Sequence, residues 1–258
     1  MGRAIALALA EAGAGVAIGS LAEDGKLPDA AYAVRPSLQE IETAAGEIRA
    51  FGVECFAAGL DVRDDASVES FFRNATAALG PIDILVNAAG VSAQEEMIGH
   101  RDATWSSVID INLNGCYRTI RRCFPGMVER RWVRIVNIAS TAAEVGYPRY
   151  SAYCASKSAL LGLTRCVALE GAEHGVSCNA INPGSVGTGM MRLGSLRRME
   201  QDGQGSTVEQ NFAHVADAMP QKRLISVEEI AGLALFLCRD EAFGITSESL
   251  NVSGGASW

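Results

Sequence analysis

No stretch of this chain approaches the roughly 20 consecutive apolar residues that a membrane span needs. Its first residues, MGRAIALALAEAGAG, carry one basic side chain and an early acid at Glu11, which fits neither an anchor nor a signal peptide. No two of the seven cysteines, at positions 55, 116, 123, 154, 166, 178 and 238, stand at CxxC spacing. An odd, scattered set reads as small buried apolar side chains of a reducing compartment, so a cytoplasmic protein is expected, without a disulfide framework or a zinc site. Histidine is scarce, and His100, His174 and His214 lie far apart in polar surroundings, so no metal is expected. No Lys/Arg cluster is long enough to follow a phosphate backbone, and the formal net charge is −8. Both features argue against nucleic acid as a partner.

What is present suits one α/β domain over residues 1–258, with 48% hydrophobic and 20% charged residues. Strand-like runs GVAIG, VECFAAGL, IDILVNA, VRIVNIA, VSCNAI and SLNV alternate with longer helical patterns. That order predicts a doubly wound parallel sheet with helices on both faces. Ser37 with Glu40, and Ser226 with Glu229, have capping-box spacing and mark two helix starts. Two connections are long: LAEDGKLPDAAYAVRPS after the first strand, and the polar stretch from about 187 to 220.

The chemistry is concentrated in IVNIAS, ending at Ser140, and in YCASK, from Tyr153 to Lys157. WVRIVNIAS reads as a buried strand whose carboxyl end presents the Ser140 hydroxyl, the end at which open α/β sheets hold ligands. Tyr153 and Lys157 are four residues apart in an apolar-rich, proline-free stretch, so on a helix both project from one face. An ammonium beside a phenol is expected to draw the phenol's pKa below its usual value of about 10. Tyr153 then becomes an acid/base near neutral pH. The same spacing, taken alone, also describes a solvated helix face.

Those residues stand in order with LDV (60–62), NAAG (87–90), INLNG (111–115), INPGSVGT (181–188) and LNVSGG (250–255). Taken together, the chain resembles the short-chain dehydrogenase/reductase family over nearly its whole length. The resemblance implies a Rossmann fold and an NAD(P)-dependent oxidoreductase that interconverts a secondary alcohol and a ketone. It implies that Tyr153 exchanges the proton with the substrate oxygen and that Ser140 orients that oxygen. Lys157 would tune Tyr153 and hold the nicotinamide ribose, and Asn112 would complete a proton relay through a water beside the lysine. Asp61 and Val62 would hold the adenine, Asn87, Ala88 and Gly90 would let the backbone approach the dinucleotide, and Pro183, Gly184, Val186 and Thr188 would face the nicotinamide carboxamide. The choice of cofactor is read where GVAIG ends, at Ser20, which is neither acidic nor basic. Asp24 and Lys26 lie further along, so NAD and NADP both remain open. The first long connection is expected over the cofactor's adenosine end and the second as a mobile substrate loop. Ser92, Tyr147, Tyr150 and Met190 are candidate pocket residues for a mostly apolar small molecule. The helices around INLNGCYRTIRRCFPGMV and SAYCASKSALLGLTRCVAL carry more apolar residues than one core face needs, and by resemblance they pair in a homotetramer or homodimer.

The family opens with a strand and a TGxxxGxG turn whose amides and helix dipole hold the pyrophosphate. Gly2 matches the last glycine of that turn, and the chain contains neither the two earlier glycines nor the strand. In the family that strand lies between GVAIG and IDILV, so two sheet edges are expected to be left open. Each backbone group left buried and unpaired costs about 1–3 kcal/mol against a total stability of about 5–15 kcal/mol. The expectation is that Met1 is an internal methionine of a longer product. The competing functional reading is a catalytically impaired or non-catalytic nucleotide-binding protein with a truncated pyrophosphate loop.

Overall fold

The computed structural model describes residues 1–22, 27, 31–202 and 207–256; Asp24 and Lys26 fall outside them. The elements in chain order are α1 (Gly2–Glu11), β1 (Val16–Ser20), β2 (Ala31–Tyr32), α2 (Leu38–Arg49), β3 (Cys55–Gly59), α3 (Asp65–Leu79), β4 (Ile84–Asn87) and β5 (Ser92–Ala93). There follow α4 (Asp102–Ile109), a π-helical turn (Asp110–Asn114), α5 (Gly115–Arg130), β6 (Val133–Ile138), α6 (Ser151–Gly171) and β7 (Val176–Pro183). The chain continues through α7 (Gly189–Asp202), α8 (Val208–Ala218), α9 (Val227–Leu237) and β8 (Ser249–Val252). Each of the six strands expected from apolar runs is present, to within one or two residues at its ends.

Every residue of β6 and β7 is buried, the pattern of parallel strands covered on both faces. Side-chain alternation divides β6 between the two layers. Val136 and Ile138 join Ile5, Leu9, Ile48, Ile230 and Leu237 on the side of α1, α2 and α9. Val133 and Ile135 join Phe71, Phe72, Ile120, Met127 and Val167 on the side of α3, α5 and α6. Each such side chain is worth about 1.5–3 kcal/mol when fully buried.

The parallel strands pair as β1 with β3 and, separately, in the order β4-β6-β7-β8. Among the described residues β1 and β4 share no strand pairing. The division falls between the two strands that, by the resemblance above, flank the family's first strand.

Three local expectations need correction. The stretch from 187 to 220 is mostly helical: α7 starts behind Thr188, whose Oγ1 accepts from Met191 N at 3.3 Å, and α8 starts at a full Thr207/Gln210 capping box. Polar composition concealed two helices, of which α8 is amphipathic. The long helix read through INLNG is α4 and α5 joined by the π-helical turn. The described part of the first long connection is not confined to the adenosine end. Leu27 packs against the cluster that holds Val62, but β2 pairs antiparallel with β5, Ala31 opposite Ala93 and Tyr32 opposite Ser92. Tyr32 and Val34 then meet α7. A Cβ on Gly194 would lie 2.9 Å from Tyr32 Oη, and one on Gly189 would lie 2.6 Å from Val34 Cγ2.

Candidate active site

Ser140 follows the end of β6 with an extended backbone, and its Oγ accepts from Ala142 N at 3.1 Å, which fixes the short turn Thr141–Ala143. Its hydroxyl adjoins the phenol of Tyr153 closely enough to oppose a rise in that group's pKa. Tyr153 lies in the first turn of α6, half-buried, and Lys157 lies one turn further on, buried. The spacing in sequence therefore does place hydroxyl, phenol and ammonium together at the carboxyl end of the sheet.

The electrostatics differ from expectation. Lys157 Nζ donates to Ile138 O at 2.8 Å and stands 5.9 Å from the centre of the Tyr153 ring. Burial raises the Tyr153 pKa, with the Cys154 and Tyr150 side chains adding to the rise and the Ser140 hydrogen bond opposing it. Lys157 does not pull it down. The Lys157 ammonium is itself held below its ordinary value by burial, with the neighbouring Cys116 thiol working the other way. Desolvation outweighs the pair attraction because the ammonium's nearest partner is a neutral carbonyl.

Asn112 is fully buried in the π-helical turn. Its Oδ1 accepts from Val91 N at 2.9 Å, and its Nδ2 donates to Val91 O at 3.0 Å and to Ser156 Oγ at 3.0 Å. Ser156 Oγ in turn donates to Tyr153 O at 2.7 Å. One amide thus clamps the segment after the NAAG turn to the helix that carries Tyr153 and Lys157. Gly90 completes the wall: a Cβ there would lie 3.4 Å from Asn112 Oδ1 and 3.6 Å from Lys157 Nζ.

The expected nucleotide-binding residues lie along the same edge of the sheets. Gly2 approaches the NAAG turn so closely that its Cβ would come within 3.3 Å of Ala88 Cβ. Asn87 turns inward, donating to Asn137 Oδ1 at 2.8 Å and accepting from Thr119 Oγ1 at 2.7 Å, so its side chain braces β4 against β6 and α5. Ser20 closes β1, and its carbonyl accepts from Leu60 N at 2.9 Å. The Asp61 carboxylate is held below its ordinary pKa by hydrogen bonds from Arg63, and Nε of that arginine lies 2.8 Å from Oδ1. Val62 is buried under Gly115, where a Cβ would come within 2.6 Å of Val62 Cγ2, and its carbonyl accepts from Arg118 at 3.2 Å. Pro183 ends β7, Gly184 N donates to Val252 O at 3.0 Å, and Val186 bridges to Ile225. Thr188 spends its hydroxyl on the start of α7.

Four residues that the motifs did not single out belong to this edge. Arg63 and Arg118 pair with Asp61 and Asp110, and the spacing in DVR was a signal for the first. Gln94 and Tyr32 are buried beside the Tyr153 end. Gln94 Nε2 donates to Tyr32 Oη at 3.1 Å, to Gly194 O at 3.4 Å and to Tyr150 Oη. Of the expected pocket residues, Ser92 is buried, Met190 half-buried, and the Tyr147 ring is exposed with its centre 6.5 Å from that of Tyr150. Among the described residues no cluster of His, Cys, Asp or Glu fits a metal ion, and no helix is long and apolar enough to cross a membrane.

A nicotinamide dinucleotide fits the chemistry of this edge at its nicotinamide end. Gly90 keeps open the space beside Lys157 Nζ and Asn112, and the Ser140 and Tyr153 hydroxyls adjoin it. A family model described as enoyl-(acyl carrier protein) reductase matches residues 1–257. The chain is 31% identical to 3-oxoacyl-[acyl-carrier-protein] reductase FabG of Staphylococcus aureus over 255 residues, 99% of this chain and 93% of that protein. It is 33% identical to nodulation protein G of Azospirillum brasilense over 239 residues, 93% and 91% of the two chains. Its structure superimposes on a variant of actinorhodin polyketide ketoreductase solved with NADPH, with a TM-score of 0.88 at 31% identity, covering 99% and 92% of the two chains. The relatives match this chain in length and fold, and the chain belongs to the short-chain dehydrogenase/reductase family.

Proposed function

We propose that the protein is an NAD(P)-dependent oxidoreductase that interconverts a secondary alcohol and a ketone, with Tyr153 as the acid/base. The observation that carries the reading is the Ser140 hydroxyl beside the Tyr153 phenol at the carboxyl end of the sheet, with the buried Lys157 one helical turn away. When bound, the nicotinamide supplies or accepts the hydride. The chain's own residues handle the oxygen and its proton. Ser140 donates to the substrate carbonyl oxygen and orients it, and the phenol of Tyr153 gives that oxygen its proton in reduction and takes it back in oxidation. A phenol kept protonated by burial is the acid that ketone reduction requires. Lys157 supplies positive charge under the ribose region, and Asn112 holds Val91 and, through Ser156, the main chain at Tyr153 in register.

Gly90, Ala88, Asp61, Val62 and the Pro183 to Thr188 segment would line the cofactor, as NAD or NADP. The relatives whose names describe ketone reduction support this direction. Against a non-catalytic nucleotide binder stands the completeness of the proton-handling group. We also propose a cytoplasmic homotetramer or homodimer. Exposed Tyr117 on α5 and Leu169 on α6 favour a partner on those helices. Tyr153→Phe tests the central assignment: turnover of a ketone panel with NADH and NADPH should fall by about 10²–10⁴-fold while cofactor binding, read by nicotinamide fluorescence, persists. Turnover within a few-fold of the unmodified chain would refute it.

A further inference from the structure

Beneath the helix that carries Tyr153 and Lys157 lies a buried amide that the proton-transfer chemistry does not use. Side-chain alternation along β6 puts Asn137 in the same layer as Val133 and Ile135, on the side of α5 and α6. Asn137 is fully buried, and burying an amide is unfavourable unless its hydrogen bonds are met. Here both ends are met. Its Oδ1 accepts from Nδ2 of Asn87, the residue opposite it in register on β4, at 2.8 Å. Its Nδ2 donates one hydrogen to Thr164 Oγ1 at 2.9 Å, and Cys178 Sγ stands 3.7 Å away for the other. Thr164 in turn gives its hydroxyl hydrogen to Leu160 O at 2.8 Å, in the turn of α6 that follows Lys157. The line thus runs from the residue that opens the NAAG turn, through β6, into the main chain of α6, with one hydrogen for each acceptor.

We infer that Asn137 is a positioning residue: through Thr164 it fixes where α6 sits on β6, and so where Tyr153 and Lys157 stand against Ser140. The inference rests on the oxidoreductase reading above. Adjacent residues of β6 each hold the helix, Asn137 through its side chain and Ile138 through its carbonyl, which accepts from Lys157 Nζ at 2.8 Å. Their points of attachment, Thr164 and Lys157, lie two turns apart on one face of α6, about 10 Å along the axis. The apolar side chains that α6 buries, Leu160, Leu161 and Val167 among them, press it onto the sheet without direction. On those contacts and a single tie the helix could pivot; the second tie removes that freedom. A leucine at 137 would fill the same layer, and what the amide adds is direction, because a fully satisfied buried network holds one arrangement. Enclosed by β4, β7 and α6, Asn137 acts through the helix and not on the substrate.

Thr164→Val and Thr164→Ser on the full chain test the inference, since valine keeps the shape and removes the acceptor, and serine restores it. With a ketone that the unmodified chain reduces, Thr164→Val should lower kcat about tenfold, the scale of a sub-ångström misplacement of reacting groups. Because the NAAG end of the line is left intact, the KM for the nicotinamide cofactor should stay within about twofold, and the solvent deuterium isotope effect on kcat should rise as proton transfer becomes limiting. Thr164→Ser should recover most of the loss. A purely structural role would lower the urea midpoint and leave kcat and the isotope effect of the folded protein unchanged, which would overturn the proposal; so would a loss that serine does not recover. If Thr164→Val does not fold, the double variant Asn137→Leu/Thr164→Val removes both partners of the bond and leaves neither of them unpaired. It should show the same fall in kcat and the same rise in the isotope effect, and the kcat of the unmodified chain in that variant would overturn the proposal. An unmodified chain that reduces no ketone with NADH or NADPH would overturn the oxidoreductase reading and this role with it, whereas turnover that Thr164→Val leaves intact overturns the positioning role alone.

Discussion

Lys157 gives its ammonium to the main-chain carbonyl of Ile138, 2.8 Å away, at the end of β6. The charge is thereby tied to the strand that delivers Ser140, and Tyr153 is left with a phenol pKa above its ordinary value. The group that the family resemblance presents as a tuning partner is first of all a buried cation with a neutral acceptor.

The pH profile should show it. Ketone reduction needs the protonated phenol, so kcat/KM is expected to hold through neutral pH and to fall only as pH rises through the raised Tyr153 pKa. Alcohol oxidation needs the phenolate and should rise over the same alkaline range. A reduction limb already falling at neutral pH in the free enzyme would contradict the raised value.

Asn112→Ala should be costly in two readouts. It orphans Val91 N, Val91 O and part of the Ser156 environment in a fully buried site, at about 2–3 kcal/mol of stability by the usual scale for unmet buried groups. Because the same amide holds Val91 against the Tyr153 helix, kcat should fall at least about tenfold in protein that remains folded. Denaturant titration and kinetics on the same sample check both.

Gly175 has φ +73°, and a Cβ there would lie 2.1 Å from Arg131 O. Gly175→Ala should therefore cost at least about 2 kcal/mol, from left-handed backbone strain plus displacement of the carbonyl that closes α5. The expected measurement is a lower urea midpoint at unchanged slope.

Glu229 caps α9 and pairs with Arg223, and the Arg223 hydrogen bonds, followed by that from Ser226 N, lower its pKa to about 2. A depressed carboxyl contributes stability above its unfolded value of about 4.3 and loses it as pH falls through the folded value. Glu229→Gln should cost no more than about 1 kcal/mol at pH 7, since the pair is partly exposed and screened by salt. The difference should close as the pH approaches 2.

The strands could be read in the sequence because VRIVNI and VSCNAI, buried on both faces, are rich in β-branched, apolar and small residues despite Arg134, Asn137 and Asn179. Ser37 and Ser226 were readable as helix starts because a capping box is local, with both partners inside four residues. The Tyr32, Gln94 and Tyr150 group was not readable. Its hydrogen bonds join residues 62, 56 and 100 positions apart, and β2 and β5 are two residues long, too short for any periodicity to register. The π-helical turn that aims Asn112 at Val91 likewise leaves no mark in the apolar pattern.

By itself, then, the sequence determined the alternating order of strands and helices and the gathering of Tyr153 and Lys157 on one helix behind the strand that ends at Ser140, because both depend on short-range spacing along strand and helix. Tertiary structure alone decided that Tyr153 is desolvated enough to push its pKa up and which side of the edge the first long connection covers. Those outcomes depend on which groups from distant segments are desolvated together, and that is a property of packing.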